Sequence, residues 1–589
     1  MERTARKKTV HNIVLVIIII VLIAVLAALF WFVALPWYRD LQPSKERADL
    51  RSYLGLYGPE DGAVMLGENR SSTDALVRGG TVYWGADSIK HSFSDLFWVN
   101  MDEGILLFTT ADEVVRAKAG ERFYTRHAEA APAEGVIPEE VQTDVPVFMI
   151  YNDRAYIALD YAKQFSNFTY EFFKEPYRLQ IYAEDTVFEG IEVIKNSAMR
   201  KTADIKSEIV SDLSAGDTVF VLRKSGDWTK VRTRDALTGY VENKYLAKNS
   251  FDVEITIPQD YVQPPYTDLT EDRRLLLAWH LVTVPDANAN LDKVIEPAWP
   301  LDVISPTWFS LIDETGSVES IARRSYVDRA HQRGLKVWPM FDDFNRGPDR
   351  EARAAMLMST ESRNNTISYL IAQSKELGFD GINLDFELVP LEAASGYEQF
   401  LRELSVACRA HGLVFSIDNY PPTARTEHYN RGLQGEVADY VIIMGYDEHW
   451  STSEVAGSVA SLPFVRRAIE RTLAVVPARK VMNAVPFYTR IWSTDKDGNV
   501  SVIATPGHGW QDKWIAENEL EPVWDEEMGQ DYAEFERNGN LIQVWLENGA
   551  SMQARLDVMD SFGLGGVAAW QLGLEAPSIW DILGAFTRG

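Results

Sequence analysis

The chain has 589 residues, 86 of them acidic and 58 basic, for a formal net charge of -28 at pH 7. That length is too great for one ordinary domain, and 46% hydrophobic with 11% aromatic residues is the make-up of large folded cores rather than of a disordered chain. So acidic a surface repels phosphate backbones and excludes nucleic acid as a partner, but it leaves open a neutral carbohydrate, held by hydrogen bonds and ring stacking.

At the N-terminus, residues 1–12 carry Arg3, Arg6, Lys7 and Lys8, and residues 13–35 then run without a charge. As a helix, such a run spans the roughly 30 Å apolar core of a bilayer. A cleaved signal peptide has a shorter apolar centre, of about 7–15 residues, followed by a small-residue cleavage site. Here the run ends instead in Phe30-Trp-Phe32 and Pro36-Trp-Tyr38, an interfacial aromatic belt. The reading is an uncleaved, single-pass signal anchor with a basic cytoplasmic tail, holding the rest of a monomer on a bacterial cell surface. The only cysteine, Cys408, allows no intrachain disulfide and reads as a small buried hydrophobe.

Residues 41–61 are polar and helix-prone, a stalk. Over 62–185, short β-rich and helical runs alternate, and two stretches look alike: Gly80-Thr-Val-Tyr-Trp and Asp153-Arg-Ala-Tyr-Ile-Ala-Leu-Asp-Tyr, each leading into a helical segment. This α+β stretch resembles the small paired domain at the N-terminus of copper amine oxidases, without a His cluster, so no copper is expected. Over 189–248, turns with Gly and Asp feed short strands: Leu213-Ser-Ala-Gly-Asp, Gly226-Asp-Trp and Thr238-Gly-Tyr-Val. That spacing argues a small barrel. It resembles a bacterial SH3-type domain, with Trp228 and the Gly239-Tyr-Val241 step characteristic. A packing module and a cell-wall ligand module are both open readings.

A Pro-rich linker, 258–265, is followed by apolar runs separated by amphipathic helical stretches: 275–279, 303–306, 336–341, 379–386, 414–418, 440–444, 480–486 and 566–570. Eight short buried strands, mostly about 25–45 residues apart, predict an α/β fold of (β/α)8 type over 273–589. The longer gap before the eighth strand predicts a small insertion at about 490–548.

The fourth run reads Gly378-Phe-Asp-Gly-Ile-Asn-Leu-Asp-Phe-Glu387. Strand alternation puts Asn383, Asp385 and Glu387 on one side and Ile382, Leu384 and Phe386 on the other. Polar groups facing a barrel interior are costly without partners, and the C-terminal strand ends are where this fold places chemistry. Glu387, last in the row, reaches furthest; Asp385, about 6–7 Å behind it, is expected to hydrogen-bond to it and raise its pKa. A carboxyl kept protonated near neutrality suits a general acid. The sixth run supplies Tyr446 and Asp447, the seventh ends in Tyr488-Thr-Arg490, and the eighth ends in Trp570. An acid, a phenol and a tryptophan floor from separate strand ends make a sugar-binding cleft.

These residues resemble glycoside hydrolase family 18, which includes chitinases, over about 273–589. The motif is Asp380, Gly381, Asp385 and Glu387, then Met444-x-Tyr446-Asp447 and Trp570. With the anchor and the SH3-type unit, the chain looks most like the cell-wall and spore-lytic branch. The resemblance implies substrate-assisted, retaining hydrolysis of β-1,4 linkages in an N-acetylglucosamine-containing polysaccharide, peptidoglycan or chitin. Glu387 is then the acid/base, Asp385 orients the 2-acetamido group, and Tyr446 hydrogen-bonds its oxygen. Trp570 stacks beneath the sugar, and Asn383, Met444, Asp447, Tyr488 and Arg490 complete the substrate-binding set. The absent second carboxylate fits a family that is an exception to the two-carboxylate scheme. Many chitinases have Asp where Asn383 stands, sharing a proton with the next Asp; Asn cannot ionise. The alternative class is a wall-bound lectin that keeps the cleft without turnover.

Asp342 and Asp343 read equally as subsite residues or solvated loop charges, and His280 as a loop-capping histidine. No H-E-x-x-H, Cys/His cluster or phosphate-binding glycine loop is present in the sequence, so no metal, nucleotide or other cofactor is expected.

Overall fold

The computed structural model describes residues 2–130 and 138–588. Met1, residues 131–137 and Gly589, which belong to the expected basic tail, 62–185 unit and barrel, lie outside the described residues. The chain forms two compact units, one from residues up to 95 together with 151–262, the other from 96–150 with 263 onward.

In the first unit, helix Glu2–Leu29 continues through a π-turn at Phe30–Ala34 into Leu35–Leu41. Within it Val10–Leu41 is long and apolar enough to cross a membrane. A short helix, Leu50–Leu54, follows, its first amides capped by Asp49. The two look-alike stretches form strands Thr81–Gly85 and Arg154–Ala158, each followed by a helix, Ala86–Ser92 and Leu159–Ala162. They pair antiparallel with each other, Ile157 opposite Trp84. Residues 62–185, expected as one unit, contribute to both: strands between Phe97 and Gln142 form a separate antiparallel meander that is built into the second unit.

The SH3-type segment, with the flanking pair Thr186–Glu192 and Phe251–Ile255, forms a seven-stranded antiparallel sheet. Thr218–Ser225, Trp228–Arg232 and Thr238–Glu242 are consecutive neighbours in it, around Val219, Val231 and Val241. Gly239 is required there: a Cβ would lie 2.6 Å from Met199 and 2.8 Å from the Arg200 carbonyl.

In the second unit all eight expected runs are strands, parallel and closed into a barrel. They are β1 (Leu275–His280), β2 (Val303–Leu311), β3 (Met340–Asp342), β4 (Gly381–Asp385), β5 (Val414–Asn419), β6 (Tyr440–Ile443), β7 (Val481–Pro486) and β8 (Gly566–Trp570). Pairing of β1 with both β2 and β8 completes the ring. The third run is split, because Pro339 lacks the N–H a continuous ladder needs; Lys336–Val337 pairs separately with β2. Alternation along β4 is as expected: Ile382, Leu384 and Phe386 pack into the outer core with the helices, while Asn383 and Asp385 lie on the opposite face. Burying each of those three apolar side chains stabilises the barrel by about 1.5–3 kcal/mol. Gly381 lets β4 enter the ring, since a Cβ would sit 2.6 Å from the Val414 carbonyl and 2.7 Å from Trp338. Between β7 and β8, strands from Ile491 to Leu546 form a five-stranded antiparallel sheet with helix His508–Glu517 beside them.

The meander is stitched to the barrel's helices. Glu103 accepts from the Thr360 amide (2.9 Å) at the start of helix Thr360–Leu377, the helix leading into β4. Asn100 donates to the Met358 carbonyl, and Trp98 lies 4.5 Å beneath the guanidinium of Arg363, itself in a fully buried ion pair with Glu403.

Candidate active site

The C-terminal ends of β3 to β8 bring the expected residues to one mouth. The register pairs Asp342 with Asp385 across β3 and β4 and Leu384 with Ile417 across β4 and β5. Asp418 therefore stands level with Asp385, one strand spacing away. Three interior carboxyls, Asp342, Asp385 and Asp418, form a row at the same height, with Glu387 just above it.

Their environments differ. Asp342 is buried but fully supplied with donors: Ser310 Oγ, the amides of Phe344 and Asn345, and Asn345 Nδ2. Asp343 is likewise enclosed. It accepts from the amides of Glu387 (2.8 Å) and Leu388 and pairs with Arg353 at 2.8 Å. Burial nevertheless pushes it up to about 6, against the lowering effect of Arg353 and those amides. Neither aspartate is a solvated loop charge; Asp343 fixes the backbone that carries Glu387.

Glu387 is half-buried, and its carboxyl is pushed up to about 7. Burial is the main cause; the Tyr420 hydrogen bond lowers it, and Asp343, Asp447 and Asp342 raise it further. The expected hydrogen bond from Asp385 is not formed. Tyr420, following β5, donates to Glu387 Oε2 instead. Asp385 is buried, with Oδ1 lacking any partner among the described residues. Burial, then Glu387, Asp418, Asp342 and Asp343 in that order, hold it protonated well above the usual carboxylate range.

Asn383 is fully enclosed, with both ends of its amide occupied. Nδ2 donates to Asp418 Oδ1 (2.8 Å) and Ser416, and Oδ1 accepts from Trp279 Nε1 (2.8 Å) and Ser305. Its amide is committed to these partners, and through Nδ2 it holds Asp418. Met444 is also enclosed. Tyr488 and Arg490, both buried on the segment after β7, direct their polar ends at Asp447: the Tyr488 hydroxyl donates to it and Arg490 pairs with it at 2.7 Å. They hold Asp447 in its left-handed conformation, φ 59°. Tyr446 is half-buried, edge-on to Tyr488. Burial, reinforced by Tyr488, Asp385, Asp418 and Glu387, raises its phenol, which stays neutral and able to donate. Trp570, half-buried at the end of β8, packs 5.9 Å from Trp279. The groups open to the mouth are thus Glu387, Tyr420, Tyr446, Asp447 and Trp570.

Asp380 lies at the other end of β4, where it accepts from the Val337 amide and His331, a structural role. His280 faces the helix layer and bonds Tyr326 at 2.9 Å; burial brings it down to about 4. It is a core histidine, not a loop cap. Cys408 is buried. Among the described residues no group of three or more metal-ligating side chains occurs.

Asp418 and Tyr420 were missed from the sequence. The signal for Asp418 was present: an aspartate near the end of a buried strand, on the face alternate to the core-facing Phe415 and Ile417.

Residues 322–575 match the model of glycosyl hydrolases family 18, and residues 195–247 that of the bacterial SH3 domain. The uncharacterized glycosylase YvbX of Bacillus subtilis is 23% identical over 288 residues, 47% of this chain and 82% of that protein. The cortical fragment-lytic enzyme of Bacillus subtilis is 26% identical over 241 residues, 39% of this chain. The alignment spans 54% of that enzyme, about half its length. The crystal structure of the Bacillus cereus spore cortex-lytic enzyme SleL aligns at 21% identity over 53% of this chain and 74% of that one, with a TM-score of 0.48. Within the barrel, residues 322–575, which contain the row of carboxyls, form a glycosyl hydrolase family 18 domain, and the chain also carries a bacterial SH3 domain; the glycosylases it resembles support a glycoside hydrolase.

Proposed function

We propose that the chain is a membrane-tethered hydrolase that cleaves β-1,4 linkages beside N-acetylglucosamine in cell-wall polysaccharide, with retention and with the substrate's own acetamide as nucleophile. The observation that carries this reading is Glu387: a half-buried carboxyl at the end of β4, held near pKa 7, and so able to give its proton at neutral pH and take one back. It protonates the glycosidic oxygen while the acetamide oxygen attacks the anomeric carbon. The buried carboxyl of Asp385 meets the acetamide N–H, and the neutral Tyr446 hydroxyl donates to its oxygen. Trp570 supplies the apolar face beneath the sugar ring. Water activated by the Glu387 carboxylate then opens the oxazolinium intermediate. The SH3 domain holds the wall, and helix Val10–Leu41 anchors the enzyme beside it.

Mass spectrometry of products from peptidoglycan and from chitin tests the substrate class, and NMR of the first-formed anomer tests the pathway. The reading predicts soluble fragments with a new N-acetylglucosamine reducing end and retained configuration. Inversion, or equal rates on fully deacetylated polymer, would remove substrate assistance.

A further inference from the structure

The carboxyl of Asp418 has no part in the mechanism above, yet it stands level with Asp385 on the adjacent strand. Neighbouring strands lie about 4.8 Å apart. Each of the two carboxyls has a buried oxygen without a partner among the described residues: Oδ1 of Asp385 and Oδ2 of Asp418. An unpaired carboxylate oxygen in a dry interior is expensive, and two such groups side by side cannot both ionise without a cation. The groups facing them are Asp342 and Asp343 from the end of β3, Glu387 beyond β4, Tyr420 after β5 and Tyr446 after β6. None is cationic, and among the described residues no ion pair reaches Asp385 or Asp418.

We propose that Asp418 is the proton-sharing partner of Asp385: the two carboxyls hold one proton between them, so that Asp385 can become the anion facing the acetamide while the proton stays inside the barrel. The inference rests on the reading of Asp385 as the acetamide-orienting group. The step balances within the pair: the O–H bond on Asp385 breaks, one forms on Asp418, and the pair's charge remains −1 throughout. Asn383 fixes the geometry, since its Nδ2 donates to Asp418 Oδ1 at 2.8 Å and leaves Oδ2 as the oxygen that takes the proton. Asp418 is thus a positioning residue acting through Asp385, and it supplies from β5 the second carboxyl that Asn383 cannot supply from β4. Burial raises both groups above the ordinary carboxylate range, which favours keeping a proton on the pair at neutral pH.

The test uses the full-length protein and a chromogenic N-acetylchitooligosaccharide, comparing wild type, Asp418→Asn, Asn383→Asp/Asp418→Asn and Glu387→Gln. Asp418→Asn retains the acceptor for Asn383 and so preserves the fold, but has no site for the proton. We expect kcat to fall at least about tenfold with KM within about threefold, and the ionisation assigned to the pair to leave the pH profile, an effect on the scale of acid–base catalysis. The double variant, which returns a second carboxyl to the neighbourhood of Asp385, should recover most of the loss. Wild-type kcat and pH profile in Asp418→Asn, or no recovery in the double variant, would overturn the proposal. If Asp418→Asn does not fold, carbon-13 NMR of aspartate-labelled wild type decides: one buried carboxyl still protonated at pH 7 supports the pair, and none refutes it. An inactive Glu387→Gln beside a fully active Asp418→Asn refutes only this inference. An active Glu387→Gln refutes the functional reading beneath it.

Discussion

The hydroxyl of Tyr420 donates a hydrogen bond to Oε2 of Glu387, and the backbone of Tyr420 is itself held by Arg431, whose Nη2 donates to its carbonyl at 2.7 Å. A donor on one carboxyl oxygen favours the charged form and leaves the other oxygen to carry the proton. The bond therefore opposes the burial that pushes Glu387 up. In Tyr420→Phe this opposition disappears, and the Glu387 pKa moves above its present value of about 7. The alkaline limb of the kcat/KM profile, where the acid loses its proton, should move to higher pH. An unmoved limb would show that Tyr420 does not act on Glu387.

The raised pKa of Glu387 also has a stability consequence. Its ordinary value is 4.5 and its folded value about 7, so between these the folded state holds more protons than the unfolded one. Stability therefore falls as pH rises through that window and stays reduced above it. Glu387→Gln does not titrate, and its amide oxygen still accepts from Tyr420. It should be more stable than wild type at pH 8, by about 1–3 kcal/mol after allowance for the partial exposure of the group. The difference should close near pH 4. Thermal denaturation at the two pH values measures it, and a Glu387→Gln protein less stable than wild type at pH 8 would contradict the burial argument.

Asp343 predicts the opposite behaviour. Although it never reaches the mouth, it accepts from the Glu387 and Leu388 amides and pairs with the buried Arg353. Asp343→Ala leaves Arg353 as an uncompensated buried charge, which costs about 3–5 kcal/mol, and frees the loop that aims Glu387. Both melting temperature and kcat should fall together. Loss of activity without loss of stability would point to direct participation of Asp343 in the chemistry.

Much of this was legible in the sequence, and the reasons differ from place to place. The barrel was, because each strand is a short apolar run flanked by helical stretches, and the alternation of Ile382, Leu384 and Phe386 against Asn383 and Asp385 shows the inner and outer faces of β4. The order of the carboxyls along that strand was legible too. Contacts between strands were not: register decides that Asp418 stands level with Asp385, and the chain after β5 brings Tyr420, rather than Asp385, to Glu387. Depth was equally hidden. Tyr488 and Arg490 read as ligand contacts from their position after β7; their burial and their polar ends on Asp447 show only in the fold. The division of residues 62–185 between two units depends on side chains such as Asn100 and Glu103 finding partners about 257 residues away, which no local pattern encodes.

The insertion before β8 is fastened by a second buried pair. Glu547, at the end of strand Asn540–Leu546, meets Arg555 of helix Gly549–Ser561 through two contacts of 2.6 Å, and also accepts from Gln530 and Ser551. Glu547→Gln removes the charge and leaves Arg555 unpaired, so it should destabilise the protein by about 3–5 kcal/mol, seen as a lower denaturation midpoint. An unchanged midpoint would show that the pair is not holding the insertion.

The proposed hydrolysis depends on the proton of Glu387. The initial rate of full-length Glu387→Gln on an N-acetylchitooligosaccharide, with binding of the intact sugar measured alongside, tests it most directly. The predicted result is a rate at least about 10² below wild type, the lower end of general acid catalysis, with binding retained. A rate near that of wild type would contradict it.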